Sequence, residues 1–484
     1  MDNFPKTISS SSGMGRRKFL QAGAGFAALG TVSMAADSKK ILGANDRVRV
    51  AVCGIRSRGY DHIECFSKNP NAEVAAVCDI DENVTRKRLA DMEKAGLPKP
   101  KPYIDVRHAL EDKSIDVVAI ATPNHWHSLI GIWACQAGKD VYIEKPCSHN
   151  WWEGRQLVRA ANRYNRIVGH GTEGRSSLAV QEGIKKIQDG LIGDVYLARG
   201  LCYKWRDTIG NAPVEAVPAG VHYDLWSGPA PTHSFTRNRF HYNWHWLWYY
   251  GNGDIGNQGI HQVDIARWGL GVGFPNRTTA VGGHFMFDDD QETPNTLNCA
   301  FEYDLPNGKR KMLEFEVRHW ISNHEATIGA WQDKKAREAA AQSRKAGVEA
   351  LAGTRNTIGE IFYGTKGYLA MDEDDDKYSV WLGKAAEPGP GNDAGGSFTK
   401  ANQRHFDNYI ECVRSRRKQD LNAPIEEGHI SCTLVHLANA SYRLRRPIDF
   451  DPESQTVIND PEADRLMRDG DRGYRAPFVV PEEV

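Results

Sequence analysis

Val48-Arg49-Val50-Ala51-Val52-Cys53-Gly54-Ile55-Arg56-Ser57-Arg58-Gly59 is the stretch whose reading decides the fold. The β-branched, apolar residues 48–53 read as a buried strand. Gly54 breaks that strand, and a helix-like run to about Lys68 follows. Strand, glycine turn and helix in this order open a nucleotide-binding α/β unit, in which the helix N-terminus faces a phosphate. The glycine pattern fits imperfectly: Gly54 and Gly59 hold the outer places of GxGxxG, and Arg56 holds the middle one. A middle glycine lets the backbone approach a pyrophosphate closely. Here Arg56, Ser57 and Arg58 are expected to meet the phosphates with side chains instead.

The next units support that reading. An apolar strand, Glu73 to Cys78, ends in Asp79, which lies 79 − 59 = 20 residues past the last glycine. An acidic residue at this distance holds the ribose 2′-hydroxyl of NAD, and its charge repels a 2′-phosphate. NAD is therefore expected, with NADP left open by Arg86 and Arg88. The competing reading of Asp79 is a helix N-cap. A third strand, Ile115 to Ala121, runs into Thr122-Pro123-Asn124-His125-Trp126-His127 and a helix to about Gln136. A fourth, Val141-Tyr142-Ile143-Glu144, ends at Lys145-Pro146. Pro146 has no N–H to donate, so the strand stops there and leaves Glu144 and Lys145 at its carboxyl end. That edge of an open α/β sheet is where ligands bind, although a Glu-Lys pair is as often a surface ion pair. Strand and helix alternate through residue 169, which predicts a Rossmann-like, doubly wound parallel sheet over residues 46–170. His125 and His127 are two apart at a helix start and point apart, so neither is read as a metal ligand.

Composition bounds the rest. The chain has 484 residues, 40% hydrophobic and 25% charged, enough for two or three soluble domains. A formal net charge of -1 argues against nucleic acid as a partner. The nine cysteines show no CxxC and no metal spacing, so no metal site is expected. Cys53 and Cys78 lie in strand-like runs and read as buried thiols. Residues 1–45 are set apart: Arg16-Arg17-Lys18-Phe19-Leu20 precedes a small, apolar run from Ala22 to Met34. Basic segment, apolar stretch and small-residue site near Ala35 make an export signal, and the arginine pair resembles a twin-arginine signal. An exported, periplasmic protein that folds around its cofactor before export is expected. No membrane span is expected in the mature chain.

From Gly171 the composition shifts towards a second α/β domain, expected over 171–450, with an exposed insertion at about 321–356 and a charged tail at 451–484. Its strand patterns, joined by turns such as Leu305-Pro306-Asn307-Gly308, predict a large, mostly antiparallel open sheet. In residues 237–250, Arg-Asn-Arg-Phe-His-Tyr-Asn-Trp-His-Trp-Leu-Trp-Tyr-Tyr, seven of fourteen are Phe, Trp or Tyr. Rings interleaved with Asn, His and Arg suit a sugar; the equally weighted alternative is an aromatic plug between domains. Arg175, Tyr242, Trp246 and Asp264 are the expected substrate contacts. Asn257, His261 and Asp264 are spaced i, i+4, i+7 and share one helix face.

The imperfect glycine loop, Thr122-Pro123-Asn124, and Glu144-Lys145-Pro146 at the end of the following strand resemble the Gfo/Idh/MocA family of NAD(P)-dependent oxidoreductases. The resemblance covers about residues 46 to 450. It implies that Lys145 lies beside the nicotinamide and the reacting sugar carbon, and that Thr122, Pro123, Asn124 and Glu144 line the dinucleotide, with His127 close by. It also implies a helix with a catalytic histidine, matched by His261. An aspartate is usual four residues earlier, and this chain has Asn257, which cannot take a proton. Acid–base duty then falls on His261 and Lys145, with Asp254 or Asp264 as candidates for the missing carboxylate. The expected activity is hydride transfer on a sugar, polyol or glycoside by a homo-oligomer. The alternatives are glycoside cleavage through transient oxidation at C3, and a sugar-binding sensor without catalysis.

Overall fold

The computed structural model describes residues 46–320, 322–329, 356–373, 376–392, 398–470 and 472–484. The expected export signal at 1–45 and most of the expected insertion at 321–356 lie outside the described residues. From Ala44 to Val484 the chain forms one unit built on two sheets.

The first sheet has six strands in the order β3-β2-β1-β4-β5-β6. They are β1 (Val48–Cys53), β2 (Ala72–Cys78), β3 (Lys101–Tyr103), β4 (Val117–Ile120), β5 (Asp140–Glu144) and β6 (Val168–Gly171). All pairs are parallel. The order reverses between β1 and β4, which opens a crevice at their carboxyl ends. Helices α1 (Arg58–Lys68), α2 (Glu82–Lys94), α3 (Val106–Glu111), α4 (Asn124–Gln136) and α5 (Trp151–Arg163) make the crossovers. The central strands are buried along their length, which explains their unbroken apolar runs.

After α6 (Leu178–Gln188), the second sheet has ten strands. Its centre is β7 (Val195–Lys204), flanked by β10 (Arg310–His319) and β11 (Thr357–Gly364). β7 and β10 run parallel, while the other pairs are antiparallel. One face is covered by α9 (Gly259–Leu270), which follows the short α7 (Tyr223–Ser227) and α8 (Gly253–Asn257). Helices α10 (Phe398–Ser415) and α11 (Ile425–Leu444) return to the first sheet's side, α10 against α1 and α11 against α5.

Two segments do more than their composition announced. The aromatic run is largely core: Phe240, Trp244, Leu247 and Tyr250 pack with Tyr223, Trp226 and Phe235. The charged tail forms α12 (Pro461–Asp469) and then packs Phe478 edge-on against Trp126 of α4. Its Arg472 donates to Glu153 of α5 at 2.7 Å, with both side chains at most 1% exposed.

Candidate active site

A cavity of about 330 Å³ lies over the carboxyl ends of β1, β2, β4 and β5. Gly54 begins it. Its φ is +79°, and a Cβ there would stand 2.6 Å from the Ala121 carbonyl oxygen, so only glycine turns the chain this close to β4. A Cβ on Gly59 would lie 1.9 Å from the Gly54 carbonyl oxygen, so the second glycine lets α1 pack on the loop it follows. These are the two tasks of the outer glycines in a dinucleotide loop. Arg56 and Ser57 are exposed at the rim.

Arg58 differs from expectation. Its guanidinium donates to Glu144 Oε1 at 2.7 Å, to Glu173, to Asn402 Oδ1 at 3.0 Å and to Asp61 at 3.3 Å. A guanidinium with these partners is a tie between β5, the segment after β6, and α10, and is not free to clasp a phosphate. Glu144 also accepts from His62 Nε2 at 3.0 Å. Although burial alone raises a carboxyl, Arg58 and His62 hold Glu144 well below the usual carboxylate range. It stays ionised beneath the cavity.

Asp79 lines the cavity where sequence spacing put it. Its Oδ2 accepts from the Ile55 N–H at 2.8 Å and its Oδ1 from the Asp81 N–H at 3.0 Å. The first bond fixes the glycine loop to β2. The helix-capping role belongs to Asp81, which accepts from the Asn83 N–H. Burial pushes the Asp79 carboxyl up to about 6. Ile80, Ile104, Val106 and Trp226 give this end an apolar wall.

Thr122, Pro123 and Asn124 line the cavity between the β4 and β5 ends. His127 binds those ends together: Nε2 lies 2.7 Å from the Thr122 carbonyl and Nδ1 2.7 Å from the Pro146 carbonyl. A neutral ring donates to one of them and a protonated ring to both. Burial pushes the ring towards the neutral form. His127 thus sets the wall of the cavity through the backbone.

Lys145 sits on the cavity floor, before a cis peptide bond to Pro146. Its Nζ donates to the Asn257 carbonyl oxygen at the end of α8. Burial lowers its pKa, against the raising influence of Glu144 and Glu173. Asn257 also lines the cavity, with its side-chain amide on Asp254 Oδ1 at 3.3 Å. His261, one turn further, is half-buried just outside the lining residues. Among the described residues its imidazole makes no hydrogen bond. Burial first, and the Lys145 charge second, hold that ring well below its ordinary pKa, so it is neutral.

Neither carboxylate suggested as a replacement for the missing one is available. Asp254 is fully buried and accepts from Arg206 at 2.8 and 2.9 Å and from His319 Nε2 at 2.7 Å. Asp264 accepts two bonds from Arg175, at 2.6 and 2.9 Å, and one from Ser431 Oγ at 2.6 Å. Arg175 and Asp264, expected at the substrate, are therefore a buried bidentate ion pair away from the cavity. Trp246 is likewise corrected: it is 4% exposed and packs under the Arg206 guanidinium. Of the four expected substrate contacts, Tyr242 alone lines the cavity, and it is 44% exposed.

His245 was not singled out in the sequence. It lines the cavity, and its Nδ1 donates to the Tyr242 carbonyl at 2.6 Å, leaving Nε2 as an acceptor. Burial and the Lys145 charge lower it to about 3, so it too is neutral. It sits in a short 3₁₀ turn, Asn243–Trp246, which has no periodicity to read.

The likeness to known proteins covers both halves. Residues 48–172 match the model of an oxidoreductase family with an NAD-binding Rossmann fold, and residues 178–276 and 397–478 match that family's C-terminal alpha/beta domain. Among curated relatives, a glycosyl hydrolase family 109 protein of Shewanella pealeana is 31% identical over 157 residues, 31% of this chain and 34% of the relative. An alpha-N-acetylgalactosaminidase of Shewanella oneidensis is 29% identical over 155 residues, 31% of this chain and 33% of the relative. The chain thus spans about a third of the length of the curated relatives it matches. Two solved structures show the same fold. A levoglucosan dehydrogenase complexed with NADH and levoglucosan has a TM-score of 0.58 at 17% identity, over 84% of this chain and 99% of that one. An aldose-aldose oxidoreductase from Caulobacter crescentus has a TM-score of 0.58 at 17% identity, over 84% and 100%. Glycine loop, strand-end lysine and both matched domains place this chain in the Gfo/Idh/MocA oxidoreductase family, with an NAD-binding Rossmann domain.

Proposed function

We propose that this protein oxidises or reduces a carbohydrate hydroxyl with bound NAD, using Lys145 and His261 to move the proton. One observation carries the reading: Lys145 stands on the floor of a single cavity that joins the glycine-loop side to Tyr242 and His245 of the aromatic segment. The residues fit the dinucleotide. Gly54 permits the close turn, Asp79 keeps lone pairs for a ribose hydroxyl, and the apolar wall beside it accepts a flat ring. When bound, the nicotinamide accepts or returns hydride at the substrate carbon.

The chain's own residues do the remaining work. His261 is neutral and unengaged, so it can take the hydroxyl proton. Lys145 donates to the developing alkoxide, positioned by the Asn257 carbonyl. That contact is a hydrogen bond in the oxidation direction; when hydride is returned, the lowered pKa makes Lys145 an easier proton donor to the carbonyl oxygen than an ordinary lysine. His245, which does line the cavity, offers its Nε2 as another neutral acceptor. Tyr242 supplies an exposed ring for a sugar face.

A second reading is glycoside cleavage by transient oxidation, elimination, hydration and re-reduction. The relatives named as glycosyl hydrolases favour it. Export through the twin-arginine route is part of the proposal, supported by Arg16-Arg17 and the apolar run after it. Tightly held NAD follows from that location, because free cofactor is scarce outside the cytoplasm. The test is mass spectrometry of nucleotide released from the denatured protein, followed by a glycoside panel monitored for reduced nicotinamide and for released aglycone. Bound NAD with net reduced cofactor supports oxidoreduction. Transient reduction with net hydrolysis supports the glycosidase. No bound nucleotide, together with no effect of Lys145→Ala on any sugar, would leave a non-catalytic sensor.

A further inference from the structure

Cys147, His170 and Cys432 are far apart in sequence and together in space. Cys147 follows Lys145-Pro146, His170 lies in β6, and Cys432 lies in α11. All three are 0% exposed, and their ligating atoms lie within 4.8 Å of one another. The two Sγ atoms are 3.6 Å apart. Two thiolates on one tetrahedral zinc, each at about 2.3 Å, are separated by about 3.8 Å. The present spacing is thus within a few tenths of an ångström of that edge.

A pair of buried thiols in contact is ordinary packing, and the histidine makes the difference. The His170 Nδ1 reaches the Thr172 hydroxyl at 3.4 Å, while among the described residues its buried Nε2 meets no hydrogen-bond partner within normal geometry. A buried, unpaired ring nitrogen is unfavourable unless something meets it. The ring is also deliberately accommodated. Gly428 stands one turn before Cys432 on α11, and a Cβ there would come within 2.6 Å of His170 Cγ and Nδ1. The backbones around the cluster are held: His405 Nε2 bonds the His170 carbonyl at 2.9 Å, and Ser128 Oγ bonds the Cys147 carbonyl at 2.8 Å. Fixed surroundings of this kind orient metal ligands.

We propose that Cys147, His170 and Cys432 form a zinc site that clamps the strand end carrying Lys145 to helix α11. Zinc would displace one proton from each thiol and take a neutral imidazole nitrogen. Two thiolates cancel the ion's two positive charges, so the buried centre is neutral overall and carries little desolvation cost. A single trapped water completes four-coordination. The site needs no bound nucleotide or sugar, so it stands or falls apart from the proposed reaction.

The test uses the full chain, purified reduced. Elemental analysis after zinc loading and removal of loose metal is expected to find one zinc per chain. Cobalt(II) titration of the same protein is expected to give thiolate-to-cobalt charge-transfer bands, and this needs no variant. Cys147→Ala and Cys432→Ala, checked for folding by circular dichroism, should lower the zinc content at least tenfold. Less than a tenth of an equivalent of zinc with no cobalt bands would overturn the proposal. So would a Cys147–Cys432 disulfide found by peptide mapping of protein loaded with zinc under the same conditions.

Discussion

Lys145 is held from three directions: Pro146 ends its strand, Glu144 lies ionised beneath it, and the Asn257 carbonyl takes its ammonium. Lys145→Ala should lower kcat/KM by about 100- to 10,000-fold, the range for a positioned proton-transfer group. His261→Asn should lower kcat within the same range, whereas His245→Asn should mainly raise KM. Steady-state kinetics on the best sugar of a panel separates these outcomes. Asp79 carries a pH effect with a definite sign. Its carboxyl titrates at about 6, so it is charged above that pH and neutral below it. Charge repels a 2′-phosphate, so the preference for NAD over NADP should grow as pH rises from 5 to 8. Dissociation constants measured for both nucleotides at the two pH values check this, and Asp79→Asn should flatten the difference.

At the scale of elements, β1, the glycine turn and α1 form the part most readable in advance. A strand buried on both faces must be apolar throughout, and a φ of +79° needs glycine, so both leave marks in the sequence. Gly54→Ala should cost about 1–3 kcal/mol in stability and weaken nucleotide binding, because backbone and neighbour both resist the methyl group. Urea unfolding and NAD titration measure the two losses. The helix bearing Asn257 and His261 was less legible. Spacing put Asn257, His261 and Asp264 on one face, but α8 and α9 are separate helices meeting near Gln258. Asp264 turns towards Arg175 instead of the cavity. Arg58, likewise, was adjacent to a phosphate loop in sequence, and its direction was decided by acids 86 and 115 residues away. Such partners leave no local pattern. The cysteine cluster escaped for the same reason, since its ligands come from three elements and have no common spacing.

Across the whole molecule, the tail is the clearest case of composition misleading. Residues 451–484 are charged and proline-spaced, yet Arg472 and Glu153 form a buried pair joined by Tyr474 at 3.2 Å. Burial pushes the Glu153 carboxyl up, and Arg472 opposes the shift. Arg472→Met should destabilise the protein by about 3–5 kcal/mol, since it leaves a buried carboxyl without its cation. Thermal unfolding of the variant beside the parent protein tests this, and Arg472→Lys should recover part of the loss. The fold class itself was legible from alternation of strand and helix. How the halves join was not, because that depends on side chains meeting across hundreds of residues.

Arg58 shows what such a junction means for the protein's history. One guanidinium answers to Glu144 in the nucleotide-binding half, to Glu173 just beyond its last strand, and to Asn402 on a helix of the other half. A crossover near residue 171 that replaced Glu173 or Asn402 with a group unable to accept would leave the Arg58 guanidinium short of a partner beneath the cavity. The two halves are therefore not interchangeable cassettes.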